Sequence, residues 1–333
     1  MHPEMSLIIL TVFTTVGQGM FILLVALQAI VPELLPSNFF ISAGLESLGF
    51  QFIGMGASFF HLANPSRGWK AILMWKNSWL SKEIISLSVF VGLAVLYFVL
   101  YIAGIRGTVF HVIGYAGIAT SLAFFVASSM VYASITYIKE WANAFTPTGF
   151  MLYGLTGGTA FMLALLHMTG SNPEVISGVT MLLIVFTVLS LLLKTIAYHY
   201  NSTAYTSLNA KHAIGMNDPN IKLIDMGTPY EHFNTKEYYY PFTKEKNKLY
   251  KRIVLAIAFV IPLIIWLVVT FGSREIKAQS FLLTGIGACI MLLGILLERH
   301  LFFIQGNHIQ NLYYGRFRKC IIENPLLTAG KAG

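Results

Sequence analysis

The chain has 333 residues, 56% of them hydrophobic and only 11% charged, with a formal net charge of +8 and a mean hydropathy of +0.69. A soluble domain carries about a quarter of its residues as Asp, Glu, Lys and Arg, so this composition excludes a soluble enzyme, a nucleic-acid binder and a disulfide-stapled secreted domain. What is left is an integral membrane protein seated in a lipid bilayer, and the basic excess becomes a matter of topology.

The opening Met-His-Pro-Glu carries no Lys or Arg, and no small-residue cleavage site follows it. The first apolar run, 6–31, therefore reads as a retained helix rather than a signal peptide. Seven further runs bounded by Pro, Gly or charge follow at 39–62, 83–104, 108–138, 148–170, 175–199, 252–272 and 278–304. Each has the roughly 20 residues needed to cross a hydrocarbon core of about 30 Å. None shows the alternation of a membrane β-strand. The expected fold class is all-α: an integral membrane protein of eight transmembrane helices packed as helical bundles. It forms a single polytopic domain over 1–333, with a 201–251 loop and a 305–333 tail.

An even number of spans places both termini on one side, together with 63–82, 139–147 and 200–251. All but three of the 22 Lys and Arg residues fall on that side, the exceptions being Arg106, Arg274 and Lys277. By the positive-inside rule this side is cytoplasmic and the membrane is the inner membrane of the cell. Cys289 and Cys320 have no CxxC or CxxCH spacing, so no cysteine-ligated metal or covalent haem is expected.

Polar residues within or at the ends of spans are costly and mark candidate sites. In chain order they are Gln18, Glu46, Gln51, His61, Glu83, His111, His167, His199, Glu298, Arg299 and His300. Gln18 and Glu46 lie deep enough to serve a proton path. His61, Arg67, Glu83, His199 and 298–300 fall near the cytoplasmic face, whereas His111 and His167 fall near the outer one. In the stretch HLANPSRGWKAILMWKNSWLSKE, from 61 to 83, Pro65 breaks a helix after His61 and Arg67 follows. Ser81 is expected to cap the next helix, with Glu83 near its positive end. An imidazole, a guanidinium and a carboxylate thus meet at a membrane boundary. That mixture suits quinone chemistry, which needs a donor to hold a carbonyl oxygen and a His or Glu to pass protons. Lys70 and Lys76 in this stretch, with Tyr238, Tyr239 and Tyr240 in the long loop, form a candidate docking face.

Two other readings stay open. A b-type cytochrome would use His111 with His167, or His61 with His199 or His300, as axial ligands. A transporter would show broken half-spans or an inverted repeat, and neither is visible.

The 61–83 stretch resembles the DmsC family of membrane anchor subunits, within the broader NrfD-like quinone-interacting proteins. The matching residues are His61, Leu62, Pro65, Arg67, Gly68, Ser78, Leu80, Ser81 and Glu83, with Ala63 where glycine is usual. Similar too are Glu298–Phe303 followed by Asn311–Gly315, the opening His2–Ser6, and Thr146–Phe150. The 201–251 insertion, with Thr206-Ser207, Gly215 and Lys222-Leu223, looks like the longer branch that includes anchors of sulfite-oxidising molybdoenzymes. The resemblance implies a subunit with no metal of its own that binds menaquinone or ubiquinone. It also implies two partners, a four-cluster ferredoxin-like iron–sulfur subunit and a molybdopterin catalytic subunit. His61 and Glu83 are implied as quinone and proton residues, Arg67 as the orienting cation, and Arg299 as a further candidate.

Overall fold

A computed structural model describes residues 4–60, 65–203, 244–272 and 279–312, with isolated positions 214, 215, 233, 238 and 240. Every regular element among them is helical: α1 (Met5–Ile30), α2 (Ser37–Phe59), α3 (Trp79–Ile102), α4 (Thr108–Ala133), α5 (Phe145–Met168) and α6 (Pro173–Thr203). Then α7 (Lys244–Leu255), a π-helical turn (Ala256–Val260) and α8 (Ile261–Phe271) form one rod, and α9 (Ser280–Gln305) closes the bundle. Among the described residues seven helices are long and apolar enough to cross a membrane, the α7–α8 rod counting as one. The one not among them is α2, which is 23 residues long but carries Glu46, Gln51 and several serines.

Burial sorts the spans. In α1 and α5, 78% of the apolar window is buried, against 28–33% in the others, so these two form the axis around which the rest pack. They meet backbone to backbone. A Cβ on Gly19 would sit 2.2 Å from the Gly154 carbonyl oxygen, and one on Gly158 would sit 2.4 Å from the Met20 nitrogen. Small residues four apart allow this approach where no hydrophobic force drives helices together. The Thr11, Thr14 and Thr15 hydroxyls donate to carbonyls within α1, at 3.0, 2.6 and 2.7 Å, so the buried helix satisfies its own hydroxyls. Gly158→Val is expected to cost about 1–3 kcal/mol through overpacking against backbone that cannot yield. A lowered Tm of the detergent-solubilised protein is the check.

Alongside α1 runs α2, antiparallel to it: Ser47 Oγ donates to the Gly17 carbonyl at 2.8 Å and Gln51 Nε2 to that of Thr14 at 2.9 Å. In the α7–α8 rod, Pro262 offers no N–H to the Ala258 carbonyl, and the chain opens into a π-turn. Gly294 of α9 fits that turn, since a Cβ there would lie 2.2 Å from Ala258 Cα.

One end of the bundle gathers the start of α3, the end of α4, the start of α5 and the ends of α6 and α9. There the structure corrects one expectation. Ser78, not Ser81, caps α3, accepting from the Ser81 N–H at 3.3 Å. Ser81 instead donates to the Ala71 carbonyl at 2.5 Å, tying the 3₁₀ segment Pro65–Met74 to the bundle. Glu83 therefore lies beyond the first turn of α3, where the helix dipole has largely decayed. Nearby, α4 stops at Ala133 rather than running to 138. The following turn tucks Trp141 under α9, where its Nε1 donates to the Phe302 carbonyl at 2.9 Å.

Candidate functional site

The site is assembled from five helices, each contributing a residue within roughly 15 Å of the same end, at 1.5 Å per residue. On α3, Glu83 is buried with its carboxyl beside Ser128 of α4. No cation pairs with it among the described residues. One turn on from Ser128, buried Tyr132 lies within electrostatic reach of both Glu83 and Arg299. Arg299 of α9 is 2% exposed, and its guanidinium stands 3.6 Å from the centre of the Phe150 ring. Aromatic faces stabilise a cation held in this way, more so when it is desolvated. Its Nε has no hydrogen-bond partner among the described residues. Beside it, Glu298 is buried and bonded through Oε1 to Lys194 of α6. Tyr153 of α5 completes the group, within reach of Glu298 and Arg299.

A cleft of about 330 Å³ adjoins these groups, bounded by Glu140, Asn143, Tyr153, Lys194, Asn201, Glu298 and Arg299 among others. That volume takes in open solvent at the mouth; the enclosed part is about 20 Å³, room for ordered water. Chemically, the arrangement sets a guanidinium whose Nε is unbonded among the described residues, a buried carboxyl and two phenols at a membrane boundary, enough to hold an oxygen of an aromatic ligand and exchange its protons.

Glu83, Glu298 and Arg299 are singled out in the sequence, and the other residues named there scatter around this group. Arg67 is exposed on the 3₁₀ segment, and His61 lies outside the described residues. Gln18 is fully buried in α1 with neither amide atom bonded among the described residues, and Glu46 is half-buried on α2. Lys70 and Lys76 are exposed, each with its ammonium about 6 Å from the centre of the preceding tryptophan's ring, at 6.0 and 5.8 Å. Tyr238 is held to the bundle end, its carbonyl accepting from Asn311 Nδ2 at 2.9 Å. Tyr240 is half-buried, and Tyr239 lies outside the described residues. Of the histidines, His167 Nδ1 meets Ser280 Oγ at 3.0 Å and His300 Nδ1 meets the Tyr250 hydroxyl at 2.7 Å.

The family model of the DMSO reductase anchor subunit, DmsC, matches residues 1–315. The chain belongs to the DmsC family. It is a multi-pass membrane anchor subunit of an oxidoreductase. Among curated proteins it is similar to a sulfite dehydrogenase subunit of Allochromatium vinosum, at 29% identity over 330 residues, covering 94% of this chain and 99% of that protein.

In this DmsC chain, sequence reasoning misses Lys194, Tyr132 and Tyr153. Lys194 does carry a signal: it lies well inside the sixth apolar run, where a lysine requires a partner. The phenols carry none, because a tyrosine near a span end is equally an interfacial anchor.

Proposed function

We propose that the chain is the quinone-reactive anchor of a molybdopterin and iron–sulfur oxidoreductase, passing electrons between membrane quinone and an iron–sulfur subunit. The observation that carries this reading is the buried Glu83, with no cation paired to it among the described residues, at the same end of the bundle as Arg299, whose Nε is unbonded among those residues. A quinone carbonyl requires such a donor, and the change between quinone and quinol requires an acid or base within reach. His61 and Arg67 complete the site through the motif. The sulfite dehydrogenase relative and the long 201–251 insertion favour a sulfite-type complex over a DMSO reductase. The partner docks on the face that carries Lys70, Lys76, Tyr238 and Tyr240, so the nearest cluster and the quinone ring lie on the same side.

A fluorescent quinone analogue is expected to titrate one saturable site in the solubilised complex. Arg299→Leu is expected to weaken its Kd about tenfold or more, the loss of a charged hydrogen bond of roughly 1.5–3 kcal/mol. Absence of saturable binding overturns the quinone reading, and an unchanged Kd removes Arg299 from the site.

In this reading α2 is the eighth span. Its length of 23 residues, about 35 Å of helix, and its antiparallel course along α1 support that count. Both termini then share the basic, cytoplasmic side. A C-terminal green fluorescent protein fusion is expected to fluoresce, while a C-terminal alkaline phosphatase fusion is expected to be inactive. The opposite pair of results reverses the orientation.

A further inference from the structure

We infer that the buried Lys194–Glu298 pair is a proton relay joining the cleft at the basic end to Glu83, an inference that rests on the quinone reading above. Ion pairs buried this deeply contribute little net stability, because desolvation offsets the attraction. This one is also left incomplete. Glu298 Oε2 has no hydrogen-bond partner among the described residues and stands 4.0 Å from Arg299 Nε, which has none either. Asn201 Oδ1, in the same cleft wall, and the Tyr198 hydroxyl are likewise unbonded among the described residues. Unbonded donors and acceptors around a polar cleft are what ordered water occupies, each water taking two to four partners.

The groups facing Glu298 are Lys194 and Tyr198 on α6, Tyr153 on α5, its neighbour Arg299, and Glu140 at the cleft wall. Lys251 of α7 closes the far side, its ammonium 5.0 Å from the Tyr198 ring centre. Tyr132 leads from this cluster towards Glu83: its ring stands 5.8 and 5.6 Å from those of Phe150 and Phe302, the two rings that hold Arg299, and it lies one helical turn from Ser128, beside Glu83.

When a quinol gives two electrons to the iron–sulfur subunit it releases two protons and becomes the quinone. Each proton passes in turn to the Glu83 carboxylate and then, through Tyr132 and cleft water, to Glu298. Protonated Glu298 releases its bond to Lys194, hands the proton to water in the cleft and re-forms the pair. Quinone reduction runs the same steps backwards, and no protein group ends with a changed charge.

The test uses the whole complex in native membranes. Lys194→Met/Glu298→Met removes both charges at similar volume, so the fold is retained. Quinone-linked turnover is expected to fall about 10- to 100-fold, with an unchanged KM for the quinone analogue and unchanged turnover with a soluble dye. A small weak acid such as formate, added as a mobile proton carrier, is expected to restore several-fold of the loss, and Glu298→Asp to retain part of the activity. Lys194→Leu/Glu298→Gln, which also removes both charges, reads the same relay if the first double variant does not assemble. Parent turnover and an unaltered pH profile in these variants overturn the relay, as does a loss that formate does not restore. If Glu83→Gln abolishes turnover while these variants do not slow it, the relay alone falls. If Glu83→Gln has no effect, the quinone reading falls with it.

Discussion

Replacing Glu83 by Gln is expected to reduce quinone-linked turnover of the assembled complex by about 10²-fold or more, the contribution of a positioned general acid or base. Glutamine keeps the volume and the hydrogen-bonding capacity of the side chain, so assembly and dye-linked turnover should stay at parent levels. The expectation follows from position. A carboxyl buried at a membrane boundary without a cation is costly to maintain, and with Ser78 as the cap Glu83 lies past the first turn, where the helix dipole that would have explained it has largely decayed. Parent-level turnover with quinone in a fully assembled Glu83→Gln complex would place the proton chemistry elsewhere.

Removing one member of the ion pair has a different signature, one of stability. Lys194→Met leaves Glu298 buried against only a distant guanidinium, and the expected loss is about 3–5 kcal/mol. The double variant Lys194→Met/Glu298→Met is expected to recover most of that loss, since no charge is then left unpaired. Tm values of the three proteins in one detergent decide the matter. Additive losses in the double variant would show that the two side chains act independently.

Much of the bundle was legible in the sequence because apolar runs and their Pro, Gly and charged boundaries are direct consequences of the bilayer. The predicted span 278–304 became Ser280–Gln305 and 39–62 became Ser37–Phe59. Misplaced boundaries lie where polar residues continue a helix out of the membrane. The sixth helix runs on past His199 to Thr203, and α7 starts at Lys244 in a charged turn with no apolar signal. The end of α4 was misplaced because Ile138 and Trp141 are apolar yet turn back into the core. Of the candidate site, the motif drew attention to Glu83 and Arg299. Lys194, a lysine inside an apolar run, signals that it needs a partner but not which one, and Tyr132 was not legible, because its significance arises from helices far apart in the chain meeting at one depth, which no local pattern records.

The glycine contact between α1 and α5 has a consequence for biogenesis. The helix that ends in the middle of the bundle leaves the ribosome well over a hundred residues before Gly154 and Gly158, the surface that completes it. Its threonines need no help meanwhile, because each hydroxyl is bonded to its own helix. Gln18 has no such bond, and in hydrocarbon an unsatisfied amide costs several kcal/mol. Until α5 arrives, that face of α1 must be sheltered by the insertion machinery, while α2, whose Ser47 and Gln51 bond the Gly17 and Thr14 carbonyls, already covers a neighbouring one. The order of synthesis thus makes the α1–α2 hairpin the first unit able to rest in the membrane.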